Sequence, residues 1–394
     1  MTTSSTHTRI YADYNSTVPL DDAHLDAVVA ALRQFDGNPS SQHATGRRAK
    51  VAVEDARAHV ANLVGCRAQE IVFTSGATEA NNLVIQGVAG KQGDSGGKPH
   101  VIIGATEHSS VIEVAQVLAE RGRIVLSIAP VDRDGRVSRE EMLRMIQRDT
   151  VLVSVMMVNN ETGAINPVAE LAGAVKERNP LIHFHTDAVQ ALGKIDISFL
   201  ARTKVDSAAF SGHKVGAFKG CGALYLKAGS RMQALMLGGG QERARRPGTE
   251  NVPGIISFGL RARDLVSAGP GAWEDRERHV QARFVAALLG IGGAVIHGDP
   301  ATGIANTVNF HIDRVSGDDL LLNMDLSGIA ASSGSACSSG VGRPSHVLLA
   351  MGYPEWVALN SVRISFGAGT DGADVDRIIE VVKQVANRRA GSRG

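Results

Sequence analysis

Between residues 71 and 226 the chain alternates short β-branched runs with helix-forming stretches, and this alternation restricts the fold more than any other feature. Strands are expected at Ile71-Val72-Phe73, Val101-Ile102-Ile103, Ile124-Val125-Leu126, Val151 to Val158 and Ile182 to Phe184. Two more follow, one ending at Phe210 and one over Ala223 to Leu226. Helices to about Gly87, near Ser109 to Glu120, after Ser138 and near Ala169 to Arg178 separate the first five strands. Ser138, with Glu141 three residues on, reads as a capping box. The pattern predicts an α/β fold: a mostly parallel sheet with helices on both faces. Ligands in such sheets bind at the carboxyl ends of the strands. Thr78, His108, Asn159, Asp187 and Lys214 all fall at those ends.

On either side the pattern differs. Asp21 and Asp22 cap a first helix with Leu25, Val28, Val29 and Leu32 on one face. A second helix runs from about Arg47 to Val64 and stops at Gly65. Beyond about residue 262 come a charged helix (Trp273 to Leu289), an alternating strand (Ile304 to Ile312) and a helix near Asp318 to Asn323. A strand, Ser361 to Phe366, and a last helix from about Asp374 to Arg388 complete the chain. This reads as a smaller α+β domain.

Lys+Arg 41 against Asp+Glu 40 leaves a net charge of +1, which argues against nucleic-acid or membrane-surface binding driven by electrostatics. No apolar run approaches the ~20 residues of a membrane helix, and residues 2 to 9 lack the apolar core of a secretory signal. The three cysteines, Cys66, Cys221 and Cys337, are odd in number and far apart, so neither a disulfide framework nor a CxxC metal site is expected. A reducing, cytoplasmic setting fits.

The chemistry converges on Phe210-Ser211-Gly212-His213-Lys214, where a buried strand delivers a lysine into a glycine-flanked loop. Desolvation lowers an ammonium pKa, and a partly neutral lysine forms Schiff bases with aldehydes. Ser211 and His213 beside it suit an anionic group. Asp187 ends the strand Ile182-His183-Phe184-His185-Thr186-Asp187. A buried carboxylate needs a cationic or hydrogen-bonding partner, and a protonated pyridine nitrogen would be one. Lysine and acid together are the protein's share of pyridoxal phosphate (PLP) chemistry. Phe73 to Asn82 joins a strand to a helix through small residues, Ala77 and Thr78 among them, and free N–H groups at a helix start bind anions.

His108 could stack on a flat ring and move protons, or could simply cap a helix. Asn159 and Gln190 could donate to a cofactor oxygen or a substrate carboxylate, or could hold loops. Arg363 interrupts an apolar strand and suits a substrate carboxylate, the alternative being a carboxylate of the protein. The glycine- and arginine-rich stretch Gly238 to Thr249 could reach a phosphate, even across a subunit boundary. Cys337 lies in Ala331 to Gly342, a run of Gly, Ser, Ala and Val that cannot pack a core, so an exposed, mobile loop with an accessible thiol is expected. Cys66 and Cys221 read as small buried residues.

With these pieces in order, the sequence resembles the cysteine desulfurases, PLP enzymes of fold type I within the class-V aminotransferase family. The resemblance runs from Tyr11-Ala12-Asp13-Tyr14-Asn15 to the last helix. It is carried by Phe73 to Thr78, Thr106-Glu107-His108, Asn159-Asn160-Glu161-Thr162-Gly163, Phe184 to Gln190, Ser211 to Lys214, Gly238 to Thr249 and Ser332 to Cys337. It is nearest to the nitrogen-fixation and iron–sulfur-cluster types. The resemblance implies that Lys214 holds PLP and moves the Cα proton, that Asp187 pairs with the pyridine nitrogen and that Gln190 meets the phenolic oxygen. It implies a phosphate site of Ala77, Thr78, Ser211 and His213, with Thr249 supplied by the partner subunit. His108 would stack on the ring, Asn159 and Arg363 would hold the substrate carboxylate, and Cys337 would be the nucleophile.

The implied reaction takes sulfur from L-cysteine, leaving L-alanine and a Cys337 persulfide for a sulfur-acceptor or iron–sulfur scaffold protein. No metal site is implied beyond a transient iron–sulfur contact through Cys337. The implied assembly is a homodimer. The implied division is a large PLP domain, 19–262, and a small domain of 1–18 with 263–394. Selenocysteine lyase and PLP aminotransferase are alternative activities, and a non-catalytic PLP-binding regulator is the alternative outside enzymes. Three departures stand out: Ala217-Phe218-Lys219-Gly220 replaces a usual Gly-Pro-Lys-Gly, Gly342-Arg343-Pro344 replaces a Leu-Glu-Pro-like triplet, and the C-terminus lacks an apolar tail.

Overall fold

The computed structural model describes residues 9–92, 97–230, 232–269, 271–272, 274–333 and 342–391. Strand β1 (Ile10–Tyr11) precedes helix α1 (Asp22–Gln34), which Asp21 caps by accepting the His24 N–H at 2.8 Å. The apolar stripe of α1 is only partly covered. Val28 is buried, whereas Leu25 and Val29 are 41% and 38% exposed. Helix α2 (Ala44–Val64) begins three residues before Arg47, because the His43 ring accepts the Gly46 N–H at 3.2 Å.

The large sheet contains β2 (Ile71–Thr74), β3 (His100–Gly104), β4 (Val125–Ala129), β5 (Thr150–Ser154), β6 (His183–Asp187), β7 (Ser207–Ser211) and β8 (Gly222–Leu226). Its order is β2-β8-β7-β6-β5-β3-β4. Only β8 runs against its neighbours, so the other six strands point the same way. Helices α3 (Ala77–Gln92), α4 (Ser109–Glu120), α5 (Arg139–Arg144) and α6 (Val168–Arg178) connect the strands, and α7 (Val252–Ala268) follows. Two apolar clusters lie on the two faces of the sheet. One joins Phe73, Ile102, Val153, Phe184 and Phe210 to α2, α6 and α7; the other joins Val72, Val101, Ile103, Leu152 and Leu224 to α3 and α4.

Two local expectations change. Strand β5 ends at Ser154, not Val158. β3 stops at Gly104 and turns toward α4, so beyond Ser154 the chain loses that strand partner, while Val155 and Met157 still donate to the carbonyls of His185 and Asp187. The capping box at Ser138 is half formed. Ser138 accepts the Glu141 N–H at 3.4 Å, but the Ser138 N–H goes to Pro130 and the Glu141 carboxylate pairs with Arg144.

A second sheet, order β12-β13-β10-β9, is built from β9 (Ala294–His297), β10 (Thr307–Ile312), β12 (Ser332–Ser333) and β13 (Val362–Ser365). Between β10 and β12 lie α9 (Gly317–Leu326) and β11 (Ile329–Ala330), which pairs in parallel with β1. Helices α8 (Glu274–Leu289) and α12 (Gly372–Gly391) pack on this sheet around Phe284, Phe310 and Phe366. The short helices α10 (His346–Ala350) and α11 (Glu355–Asn360) form a separate small cluster through Leu348 and Ala358.

Candidate active site

A cavity of about 390 Å³ opens where the parallel strands end. Ala77, Thr78, His108, Asp187, Gln190, Ser211, His213, Lys214 and Arg363 all line it. Residues that follow β2 and β3, that end or follow β6 and β7, and that lie on β13 thus meet at one place, although 286 positions separate Ala77 from Arg363 in the sequence (363 − 77).

Lys214 leaves β7 in a single 3₁₀ turn, Gly212–Val215, closed by Gly216 at φ +80. A side chain at 216 would be strained by that backbone and would also lie 3.1 Å from Arg261. Lys214 Nζ donates to the carbonyls of Asn15 at 2.7 Å and Ser16 at 2.8 Å. The N-terminal segment therefore runs across the lysine. His213 is kept neutral: burial, then the charges of Lys214 and Lys219, push its imidazole down to about 4.

The turn from β2 into α3 presents Ser75, Gly76, Ala77 and Thr78 to the cavity. The first N–H groups of α3 and the positive end of its dipole make this an anion cradle. Gly222 fixes its distance from β7. A Cβ there would fall 2.6 Å from Gly76 Cα and 2.5 Å from the Phe210 carbonyl, so only glycine lets β8 pass this close. The 238–249 stretch is anchored nearby. Arg246 pairs with Glu79 at 2.9 Å, and buried Glu242 pairs with Arg57 at 2.7 Å and accepts the Phe73 N–H at 2.9 Å. These contacts hold Glu242, Arg243 and Ala244 at φ 45, 58 and 59, conformations that cost free energy in non-glycine residues.

Asp187 ends β6, nearly buried. Its two oxygens accept from Asn81 Nδ2 at 2.8 Å and from the Val189 N–H at 3.1 Å. Behind it, burial pushes the Glu107 carboxyl up to about 8, and the negative charge of Asp187 acts in the same direction. His108 does two things at once. Its Nδ1 caps α4 by accepting the Ser110 N–H at 3.1 Å, and its ring lines the cavity. Gln190 donates to the Asn15 carbonyl at 2.9 Å and accepts from Lys194, a half-buried lysine whose pKa desolvation drives down to about 7.

Arg363 is 1% exposed and is not free. Its Nη2 contacts Asp13 at 2.7 Å and Ser16 Oγ at 2.9 Å, and its Nη1 donates to the Asn160 carbonyl at 3.0 Å. Its Nε is buried and has no hydrogen-bond partner among the described residues.

Two expected residues lie away from the cavity wall. Asn159 is buried and spends its amide on the Thr106 carbonyl at 3.1 Å and on the N–H groups of Glu161 and Thr162, both at 2.9 Å. Its neighbour Asn160 lines the cavity instead. Thr249 is exposed. Cys337 lies outside the described residues. The other two thiols are pushed up to about 12 by burial, which keeps them protonated and poorly nucleophilic at neutral pH. Among the described residues no cluster of three or more His, Cys, Asp or Glu could hold a metal, and no helix is long and apolar enough to cross a membrane.

Sequence reasoning missed Asp13, Asn15, Ser16, Asn81, Ser110 and Lys194. The polar run Asp13 to Thr17 offered a signal for the first three. Asn81 and Ser110 sit inside helical stretches whose sequence says nothing of what they face.

Chemically, the cavity joins a primary amine, an anion cradle, a buried carboxylate and an imidazole. It has the size of small-molecule sites, roughly 300–1,000 Å³. The set fits a flat, phosphorylated heteroaromatic aldehyde: amine for aldehyde, cradle for phosphate, carboxylate for ring nitrogen.

Comparisons with known proteins agree in one direction. The family model Aminotransferase class-V matches residues 10–378. Over 385 residues the chain is 38% identical to a cysteine desulfurase IscS of Methanosarcina thermophila, covering 98% of this chain and 94% of that relative. It is 40% identical over 380 residues to a cysteine desulfurase of Trichormus azollae, covering 96% and 93%. A solved NifS-like protein superposes with a TM-score of 0.90 at 33% identity, covering 97% of this chain and all of the other.

Proposed function

The chain belongs to the class-V aminotransferase family and is a PLP-dependent cysteine desulfurase, and on that premise we propose which of its residues do the work. The observation that carries the assignment is the meeting of Lys214, Asp187, His108 and the α3 cradle around one cavity. Bound PLP supplies an aldehyde carbon for amines and a ring that stores an electron pair.

Ala77, Thr78, Ser211 and His213 hold the phosphate. Neutral His213 serves as a hydrogen-bonding group, its charge suppressed by burial and by its lysine neighbours. Asp187, aimed by two N–H donors, pairs with the ring nitrogen. Gln190 meets the phenolic oxygen. Lys214 would carry the cofactor and take the Cα proton of cysteine at Nζ. The carbonyls of Asn15 and Ser16 anchor it. Arg363 binds the substrate carboxylate, its guanidinium held in place by Asp13, Ser16 and the Asn160 carbonyl. Asn160, on the cavity wall, is better placed than Asn159 to add to that contact; Asn159 supports the loop. His108, in contact with the cavity, delivers and removes thiol protons.

The sulfur goes to Cys337. Its thiolate attacks Sγ of the substrate, an S–S bond forms as the Cβ–S bond breaks, and Cβ takes up a proton to give alanine. Cysteine and a thiol become alanine and a persulfide, with no external oxidant. The persulfide then passes to an acceptor or iron–sulfur scaffold protein. The assembly is a homodimer in the cytoplasm, with Thr249 completing the partner's phosphate site. Exposed Leu25 and Val29, one turn apart on α1, and the strained, firmly anchored loop that ends at Thr249 support a partner surface. The division into 19–262 and 1–18 with 263–394 is part of this reading, supported by separate apolar clusters for the two sheets.

Borohydride reduction of the PLP-loaded protein followed by peptide mapping tests the assignment. The cofactor should be fixed on Lys214. Attachment to Lys194 or Lys219, or to no lysine, would overturn it.

A further inference from the structure

A buried chain of hydrogen bonds links β6 and β7 to both Asp187 and His108 through one residue, Asn81, which is 0% exposed. Asn81 Nδ2 lies 2.8 Å from Asp187 Oδ2 and 2.8 Å from Ser110 Oγ. Its Oδ1 lies 2.9 Å from His185 Nε2. His185 Nδ1 is 2.8 Å from Ser207 Oγ, and the same hydroxyl is 2.7 Å from His183 Nε2. On the other side Ser110 Oγ is 2.9 Å from His108 Nδ1.

Only one placement of hydrogens satisfies the whole chain. A carboxylate accepts and never donates, so the Asn81 NH₂ faces Asp187 and its carbonyl faces His185. His185 must then carry its hydrogen on Nε2. Burial above all drives both His183 and His185 down to about 3, so each ring has one hydrogen. His185 Nδ1 is bare and accepts from the Ser207 hydroxyl. That hydroxyl accepts from His183 Nε2. The second Asn81 hydrogen goes to Ser110, whose own hydroxyl hydrogen goes to His108 Nδ1, where the Ser110 backbone N–H also arrives at 3.1 Å. Every donor points from the sheet toward the cavity, and hydrogen bonds aligned head to tail polarise one another.

We propose that Asn81 is a positioning residue that aims the Asp187 carboxylate and, through Ser110, fixes His108 as the tautomer with Nδ1 bare and its hydrogen on Nε2. The mechanism needs both results: an acceptor held still for the ring nitrogen, and a histidine whose exchangeable hydrogen is confined to one ring atom. Ser110 lies on the cavity wall beside His108, whereas Asn81 acts from behind it. The inference rests on the assignment of Asp187 and His108 to the cofactor site.

The tautomers are read directly from long-range ¹H–¹⁵N spectra of the ¹⁵N-histidine-labelled holoenzyme, with His108 and His185 assigned by single His→Gln variants. Both rings should be protonated on Nε2 and bare on Nδ1. A proton on Nδ1 of either would overturn the proposal, and this measurement uses the unmodified chain. PLP titration of the apoprotein gives the second arm. Asn81→Leu, similar in volume but without donors, should weaken PLP binding about tenfold or more, because a charge-assisted hydrogen bond to Asp187 is lost. Ser110→Ala, which cuts only the His108 branch, should weaken PLP binding less than Asn81→Leu does while moving the His108 ring resonances. Wild-type affinity in Asn81→Leu, or unmoved His108 resonances in Ser110→Ala, would sink the positioning role. Failure of the wild-type apoprotein to bind PLP would instead sink the site assignment beneath it.

Discussion

Arg363 carries a full charge into a site where 1% of its surface meets solvent. Asp13 compensates part of that charge, and Ser16 and the Asn160 carbonyl take further N–H groups of the guanidinium. Arg363→Ala should therefore weaken cysteine binding by on the order of 2–5 kcal/mol while PLP affinity changes little. Parallel titrations with cysteine and PLP check this; equal losses for both would make Arg363 structural. The thiols divide in the same way. Cys66→Ser and Cys221→Ser should turn over cysteine almost as the parent does, because burial keeps both thiols protonated. A loss of alanine production in either would contradict that reading. At this scale, sequence and structure part at Asn159 and Asn160. Adjacent asparagines are indistinguishable in the sequence, and only backbone geometry turns the second toward the cavity.

Strand β6 shows what the sequence could and could not reveal about an element. Its acid terminus, Asp187, was legible, because a buried strand ending in a carboxylate needs a partner. The buried roles of His183 and His185 were not, since their partners Ser207 and Asn81 come from β7 and α3. The same holds for α1. Its cap and apolar spacing were readable, but which apolar residues stay open depends on what packs against the helix. The histidines also give β6 a pH signature. In the fold both are driven down to about 3, whereas unfolded histidine titrates near 6.5, so the unfolded chain binds more protons between those values. Stability contributed by neutral His183 and His185 is complete above pH ~6.5 and is lost as pH falls toward 3, with a slope of up to about 1.4 kcal/mol per pH unit for each. Thermal melts of the apoprotein from pH 7 to 4.5 should show this fall, and His183→Gln should flatten it. An unchanged slope in that variant would show that other groups govern acid stability. The 242–244 turn provides a second test at this scale. Glu242→Ala takes the buried carboxylate from Arg57, leaving it only the more exposed Glu54, and should cost up to about 3–5 kcal/mol in denaturant unfolding. A loss below about 1 kcal/mol would show that the pair does not hold the turn.

Across the whole molecule, the fold was readable because the strand–helix alternation and the glycine punctuation agree with one another over most of the chain. The N-terminal segment was the least readable part. Residues 13–16 cross from β1 to the cavity and touch Lys214, Arg363 and Lys194 through contacts set entirely by tertiary structure. These contacts tie the second sheet to Lys214, so the cavity is a property of both sheets and not of the large one alone. All of this serves one claim: a PLP site at Lys214 drives transfer of the sulfur of cysteine onto Cys337. The most direct measurement gives the PLP-loaded protein one equivalent of L-cysteine, quantifies alanine, and maps peptides without reductant. The account predicts alanine in step with a peptide one sulfur heavier at Cys337, with none at Cys66 or Cys221. Alanine formed without added sulfur at Cys337, or sulfur found on either of the other two cysteines, would contradict it.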